Sequence, residues 1–342
     1  MNVEDKVFNQ IELLIKETKS RIYLTINSEL VILYWNIGKM IDNEVLKNKK
    51  AEYGNSVVKN LAKRLTVKYG AGFSRPNIYR MISLSNRFEN YEKISTLSRK
   101  LSWSHFIELL QFTDDNKLLF YTTMAAHETW SVRMLRERIS SALYERTLIA
   151  KKTNEAIRSD LEDLNSKGKA SPELFLRDPY NLAFLNLEKI CSEQVFEDSL
   201  IKRLEKFILE LGTDFAFLAR QKRIIIGGVD YYIDLLFYHR ALKRMVAIEL
   251  KLDRFKSDYK GQLELYLKYL NKYEKQPGEK SPIGIILCAS KNKVVTELLD
   301  INKDNIHIAE YITKHIPRKL LEEKLIKEIA KSKFSQNFEK IK

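Results

Sequence analysis

Cysteine and long apolar runs are scarce in this sequence, and each shortage excludes a class of protein. Two cysteines in 342 residues are too few for a disulfide framework, and Cys191 and Cys288 lack the paired spacing of zinc ligands. No apolar run approaches the roughly 20 residues that span a bilayer, and Glu4 and Asp5 stand where a signal peptide would be basic. We therefore expect a cytoplasmic protein with reduced thiols and no membrane partner.

Acidic residues are also too few to balance the basic ones. Lys and Arg total 59 against 45 for Asp and Glu, which gives a net charge of +14. This excess favours a polyanionic partner. Hydrophobic residues make up 44% of the chain, as in globular proteins. The length favours two domains, because a single core rarely grows past about 250 to 300 residues.

The charge imbalance is sharpest between residues 56 and 88, where seven basic residues occur without an acidic one. Apolar spacing predicts a helix that ends at Gly70, and Ser74 can cap a second helix with Pro76 in its first turn. This order is typical of a helix-turn-helix unit, whose second helix enters the DNA major groove. The alternative is the solvated basic face of an ordinary helical domain. The expected DNA contacts are Lys59, Lys63, Arg64, Lys68, Arg75, Asn77 and Arg80.

The pattern of the chain changes after residue 150. A polar stretch at 151–172 suits a linker, although part of it can be helical. Helices are predicted at 174–187 and 199–211, and Gly227-Gly228 is a preferred connector between two strands. The order helix, three strands, helix, strand indicates a mixed α/β domain. We predict an α+β multidomain protein with an all-α domain at 1–150, a linker at 151–172 and an α/β domain with a mixed sheet at 173–342.

Three charged residues interrupt two apolar runs that are typical of neighbouring strands. Alternate side chains of a strand share a face, so Glu249 and Lys251 point the same way, and strand pairing can place Asp234 beside Glu249. Two buried carboxylates repel each other unless a cation lies between them, and Mg²⁺ accepts such oxygen ligands. Lys251 can then stabilise the charge on a phosphate under attack or orient the attacking water. The alternative is a Glu249–Lys251 surface ion pair.

The same residues carry a resemblance to a known family. Asp234, fourteen intervening residues and Glu249-Leu250-Lys251 on the next strand resemble the PD-(D/E)XK nuclease superfamily. The runs YIDLLFYH at 232–239 and QLELY at 262–266, with Arg220-Gln221 before them, are similar to the YhcG-like bacterial family. That resemblance implies a restriction-endonuclease-like nuclease domain, an N-terminal helical DNA-binding domain and a role in DNA recombination or defence.

The resemblance also implies roles for individual residues. Asp234 and Glu249 become metal ligands and Lys251 the catalytic lysine, although Ile233 replaces the proline of the superfamily's name. The superfamily uses a glutamate on the first core helix, for which we choose Glu210 as catalytic residue and metal ligand, with Glu205 in reserve. The remaining implied residues are Gln262, a catalytic glutamine on the helix after Lys251, and Arg220 and Gln221, phosphate contacts unless the arginine forms a strand-end ion pair.

These inferences together predict a Mg²⁺-dependent DNA endonuclease, with Mn²⁺ as an alternative ion. DNA is the expected partner, and a homodimer is expected because nucleases that cut both strands often pair their active sites. Two alternatives stay open at this point. One is a non-catalytic DNA-binding or assembly protein on an inactive nuclease fold, and the other is an RNA-directed nuclease.

Overall fold

The chain divides into two units, Met1–Arg136 and Glu137–Lys342, in a computed structural model. This division precedes the boundary expected at residue 150, and the limits 1–150, 151–172 and 173–342 stay a prediction. The structure describes residues 11, 25–46, 51–151, 153–168, 171–185, 192–212, 214–299, 305–314, 319–320, 322–323 and 326–327.

Helices form the regular structure of the first unit wherever it is described. Residues 25–41 form helix α1, which continues into a π-helical turn at Asp42–Leu46. The last helix, α7, runs on into the second unit. The helices after the π-helical turn are α2 (Ala51–Tyr69), α3 (Arg75–Arg87), α4 (Tyr91–Ser98), α5 (Trp103–Leu109), α6 (Asp115–His127) and α7 (Val132–Ser140).

The turn between α2 and α3 lies where the sequence predicts it. Gly70 follows α2 with a φ of 94°, and a short 3-10 turn at Ala71–Phe73 leads to Ser74, the residue before α3. The Ser74 side chain makes no capping hydrogen bond, so only its position was predicted correctly. Gly38 of α1 meets α3 closely, because a Cβ there would lie 2.0 Å from the carbonyl oxygen of Met81.

The second unit contains both helices and strands. Its helices are α8 (Leu143–Lys151), α9 (Asn154–Lys167), α10 (Glu193–Lys202), α11 (Leu204–Leu211), α12 (Ser257–Tyr269) and α13 (Lys293–Leu298). Its strands are β1 (Tyr180–Asn181), β2 (Phe215–Ile226), β3 (Val229–His239), β4 (Arg244–Leu250), β5 (Ile283–Cys288) and β6 (Ile306–Ile312). In the described part of the chain, no helix combines the length and apolarity of a membrane span.

The six strands form one mixed sheet in the order β1-β6-β5-β4-β3-β2. β2, β3 and β4 pair antiparallel, whereas β4, β5, β6 and β1 pair parallel. Gly227 and Gly228 join β2 to β3 with φ values of 60° and 82°, and this left-handed backbone at both positions is what a two-residue hairpin turn of this kind requires. The α+β class and the mixed sheet are confirmed.

Two predicted elements differ from the structure. The single helix expected at 199–211 is divided at Arg203 between α10 and α11. Residues 174–187 were expected to form a helix, but residues 174–185 hold short 3-10 turns and strand β1, which pairs with β6, and residues 186–187 lie outside the described residues. Pro179 interrupts any helical hydrogen bonding there. The carboxylate of Asp178 accepts hydrogen bonds from the backbone N–H of Glu310 and from Lys291 Nζ, so the segment is anchored along β6 instead.

The centre of the sheet is the most buried part of the unit. Every residue of β5 is buried, and so is every residue of β4 after Arg244. Helix α12 lies against this centre so closely that a Cβ on Gly284 would come within 2.5 Å of a Leu263 methyl carbon. Charged side chains are rare in such surroundings. The charged residues at the end of β4 are an exception, and this end of the strand is the candidate functional site.

Candidate active site

The three charged residues Asp234, Glu249 and Lys251, from β3 and the end of β4, meet at the carboxyl end of β4. The β3–β4 ladder runs from His239↔Arg244 to Leu235↔Ile248, so Asp234 comes next to Glu249 one position further. There the backbone N–H of Leu250 donates to Asp234 Oδ2 over 2.9 Å. Lys251 follows directly and donates its own N–H to the Leu287 carbonyl of β5 over 2.8 Å.

Glu249 is the most buried acid of this group. It is only 1% exposed, and its Oε1 has no hydrogen-bond partner among the described residues. Its other oxygen, Oε2, lies 3.8 Å from Lys251 Nζ. Burial and, next, the charge of Asp234 raise the pKa of Glu249 well above its ordinary value. A buried carboxylate with a free oxygen and a second acid beside it has an unmet need for a cation.

The pKa of Asp234 is subject to opposing effects. Burial raises its pKa, while the Leu250 hydrogen bond and then the charge of Lys251 act to lower it. Its Oδ1 accepts a hydrogen bond from Gln221 Nε2 over 3.1 Å. Both oxygens are therefore oriented by the protein before any ligand arrives.

Lys251 lies among acidic and aromatic groups. Its Nζ is 3.6 Å from Glu193 Oε2 and 5.2 Å from the centre of the Tyr259 ring. Burial acts to lower the pKa of Lys251, but the charges of Glu249, Glu193 and Asp234 outweigh burial, and its pKa is raised. The ammonium thus stays charged at neutral pH. Neither Glu193 nor Tyr259 was anticipated from the sequence.

Glu197 on α10 is the main site residue that the sequence reasoning missed. It is 5% exposed, and its Oε2 accepts from Gln221 Nε2 over 2.6 Å. Its Oε1 accepts from Arg220 Nε. The Gln221 amide donates to both carboxylates and so links Glu197 to Asp234. The signal was present, because Glu193 and Glu197 stand four residues apart and share one face of α10.

Glu210, the helix acid chosen from the sequence, has a different environment. It is buried on α11, where its carboxylate binds Arg146 Nη1, accepts from the backbone N–H of Asn181 over 2.9 Å and lies 3.9 Å from Arg138. Of its described contacts, none joins it to Asp234 or Glu249. Glu210 neutralises a buried guanidinium pair instead, so this choice was wrong. Glu205, the reserve choice, is exposed.

The predicted phosphate contacts on β2 are also engaged within the protein. Arg220 pairs with Glu197 and with Asp198, the latter over 2.5 Å, as the open ion-pair alternative anticipated. Gln221 bridges Glu197 and Asp234 as described above. Both side chains are paired within the protein and exposed to solvent, and the phosphate contacts expected of them stay predictions.

Gln262 lies at the edge of the same site through a neighbour on α12. Its Nε2 donates to the Tyr266 hydroxyl over 2.6 Å. Burial raises the pKa of Tyr266, the Gln262 hydrogen bond opposes this, and the charges of Glu249 and Asp234 add to the rise. Gln262 thus orients a hydroxyl whose pKa is raised by the charges of both carboxylates.

The donor set suits a hard cation. Among the described residues, no group of three or more His, Cys, Asp or Glu side chains has the spacing of a metal site. Mg²⁺ needs only one or two carboxylates, because it keeps several waters. Asp234 and the partnerless oxygen of Glu249 meet that requirement. The residues present therefore fit a divalent metal.

The basic residues of α2 and α3 are mostly open to solvent. Arg87 is the exception, because it is partly buried and pairs with Asp115 over 2.9 Å. Beside these residues, the Asn77 amide donates to the Gly72 carbonyl over 3.2 Å and accepts from Arg80 over 2.8 Å, so it holds the turn and orients the arginine. The DNA contact expected of Asn77 stays a prediction. The exposed members are Lys59, Lys63, Arg64, Lys68, Arg75 and Arg80, here called the α2–α3 basic surface.

Comparison with known proteins matches two separate parts of the chain to two family models. Residues 10–146 match the DUF1016 N-terminal domain, and residues 173–326 match the YhcG PDDEXK nuclease domain. A protein of Escherichia coli (strain K12) named "Putative nuclease YhcG" is 30% identical over 308 residues, which cover 81% of each chain.

Two solved structures share a smaller region, 38% of this chain. One is the EndoMS–dsDNA2 complex, with 20% identity and a TM-score of 0.28, and the other is a repair endonuclease from Pyrococcus abyssi, with 21% identity and a TM-score of 0.26. The match spans about half of each, 49% and 50%. On its sequence matches over both halves, the chain belongs to the YhcG-like family of PD-(D/E)XK nuclease proteins.

Proposed function

We propose that this protein is a Mg²⁺-dependent endonuclease that hydrolyses DNA phosphodiester bonds, with Mn²⁺ able to replace Mg²⁺. One observation carries the proposal: Glu249 is buried with a partnerless oxygen beside a second carboxylate and a charged lysine. Burying these groups stabilises nothing by itself. The charges of these buried groups become balanced when a cation and a phosphate bind beside them.

Asp234 and Glu249 would hold the metal, which supplies Lewis acidity and lowers the pKa of a bound water. Lys251 contributes a charged ammonium that donates to the attacking water or to a phosphate oxygen. Glu197 takes the place of Glu210 in the proposed set, because it is the α10 acid joined to Asp234. Its two oxygens are bound by Arg220 and Gln221, so we assign it to orienting water and Asp234 rather than to direct ligation.

The test is a cleavage assay with purified full-length protein. Supercoiled plasmid, linear duplex, branched DNA and RNA are each incubated with Mg²⁺, Mn²⁺ or EDTA. We expect DNA cleavage in either metal, none in EDTA, and loss of cleavage in Asp234→Ala and Lys251→Ala. DNA binding without cleavage would favour the non-catalytic alternative, and cleavage of RNA alone would favour the RNA-directed one. Cutting that survives both substitutions would place the site elsewhere.

We also propose that the α2–α3 basic surface binds the DNA. In the combined variant Lys63→Gln, Arg64→Gln, Arg75→Gln, Arg80→Gln, fewer phosphates are neutralised, so the slope of log affinity against log salt becomes shallower by about 0.9 for each lost contact. Fluorescence anisotropy with a labelled duplex at several salt concentrations measures that slope.

The matched control neutralises exposed basic residues of α4 and the turn after it. Lys93, Arg99 and Lys100 are all exposed and lie outside the α2–α3 basic surface. Their replacement by glutamine lowers the net charge to a similar extent and should leave the salt slope close to that of the wild type. Equal slopes in both variants would show that overall charge, rather than this surface, binds DNA. The homodimer, the cytoplasmic location and the role in recombination or defence stay predictions.

A further inference from the structure

Gln221 occupies an unusual backbone position opposite Asp234. The β2–β3 ladder pairs Arg220 with Leu235 and Lys222 with Ile233, so Gln221 and Asp234 face each other. The φ of Gln221 is 45°, in the left-handed region. Glycine and asparagine occupy that region readily, whereas glutamine does so rarely. The backbone alone therefore does not explain why a glutamine stands here.

The side chain supplies the explanation. A primary amide nitrogen carries two hydrogens, and at Gln221 each has a carboxylate acceptor: Glu197 Oε2 at 2.6 Å and Asp234 Oδ1 at 3.1 Å. The two acids come from different elements, α10 and β3, and would otherwise repel each other. A neutral group with two donors joins them without adding a charge that would compete for the cation.

The rest of Glu197 is fixed from the opposite direction. Arg220 binds its Oε1 and also pairs with Asp198 on the same helix. Two successive residues of β2 therefore hold α10 against the strand that carries Asp234. The left-handed backbone at Gln221 is the feature that lets neighbouring residues of one strand both point toward Glu197, because side chains on a regular strand alternate between faces.

We propose that Gln221 is a positioning residue of the metal site: its amide fixes Asp234 and Glu197 at the separation that the metal and its waters require. This inference rests on the proposed function. Partners behind metal ligands typically change metal affinity or activity by about 10- to 100-fold when they are lost. We expect a Gln221 variant without this bridge to bind Mn²⁺ about tenfold more weakly.

Two substitutions distinguish the effect of the Gln221 side chain from the effect of its backbone conformation. Gln221→Asn keeps an amide and favours the left-handed backbone, but it is one methylene too short to reach both acids. Gln221→Gly relieves the backbone and removes the amide. Both should bind Mn²⁺ about tenfold more weakly by isothermal titration calorimetry and keep, or raise, the thermal midpoint of the full-length protein. Arg223→Gln, an exposed neighbour on β2 paired with Asp230, is the control and should bind Mn²⁺ as the wild type does.

The outcomes separate this inference from the function on which it rests. Wild-type affinity for Mn²⁺ in both Gln221 variants, with binding lost in Asp234→Asn, would overturn the positioning role and leave the proposed metal site intact. A lower thermal midpoint with unchanged Mn²⁺ affinity would assign Gln221 a purely structural role. Equal Mn²⁺ binding by the wild type and Asp234→Asn would overturn both proposals.

Discussion

Replacing Glu249 by glutamine is expected to abolish DNA cleavage while making the metal-free protein more stable. The substitution keeps the shape of the side chain but removes the negative charge that Asp234 repels and that a metal needs. Metal-ion stabilisation of the transition state is worth several kcal/mol, and about 1.36 kcal/mol corresponds to a factor of ten in rate. We therefore expect the cleavage rate in Mg²⁺ to fall by about 1,000-fold or more.

The stability gain should depend on pH in a definite direction. Because burial and Asp234 raise the pKa of Glu249 above its ordinary value of 4.5, the folded state keeps this proton over a pH range in which the unfolded state has lost it. Stability of the metal-free wild type therefore falls as pH rises above about 4.5 and through the folded-state pKa. Glu249→Gln does not undergo this pH-dependent loss of stability. In EDTA its thermal midpoint should exceed that of the wild type at pH 8 and approach it near pH 4.

Calorimetric unfolding across this pH range, with EDTA or with Mg²⁺, measures the effect. In Mg²⁺ the difference should narrow, because a bound cation offsets the repulsion in the wild type alone. Glu264→Gln is the matched control, since Glu264 pairs with Lys260 on α12 over 2.6 Å, is partly exposed and has no proposed role. Full cleavage by Glu249→Gln, or a midpoint below that of the wild type at pH 8, would contradict this account of the site.

The core of this site was predictable because its determinants are local. Strand alternation placed Glu249 and Lys251 on one face, and Gly227-Gly228 fixed the hairpin that precedes them, as the positive φ at both glycines bears out. A short turn between β3 and β4 then left only a few registers, and the ladder through Leu235↔Ile248 is one that brings Asp234 to Glu249. Few conformations compete over such short separations.

The helix acid was not predictable because it depends on distant residues. Nothing within α11 indicates that Glu210 meets Arg146, which lies 64 positions earlier in the chain. Likewise, α10 reaches the hairpin through Arg220 and Gln221, more than 20 positions after Glu197. Helical periodicity reports which face of a helix is buried, and it says nothing of which partner covers that face.

Substitutions at Glu197 and Glu210 should therefore have opposite consequences. Glu210→Gln removes the countercharge of Arg146, a fully buried guanidinium, and of Arg138. An uncompensated buried charge costs about 3–5 kcal/mol, so the protein should lose that much free energy of unfolding. Its cleavage rate should stay near that of the wild type at temperatures where it is folded. Urea titration followed by circular dichroism measures the first quantity and the plasmid assay the second.

Glu197→Gln should instead keep its fold and lose activity. Arg220 is partly exposed and retains Asp198 as a partner, so the free energy of unfolding should change by only about 1 kcal/mol. With Glu197 neutral, Gln221 no longer has a charged acceptor on α10 to hold Asp234 in place, and cleavage should fall by about 10- to 100-fold. The decisive comparison is between the two variants: Glu210→Gln should lose stability and keep cleavage, whereas Glu197→Gln should keep stability and lose cleavage. Loss of activity in folded Glu210→Gln together with full activity in Glu197→Gln would restore Glu210 as the acid of the site, and the buried arginines would then need a different explanation.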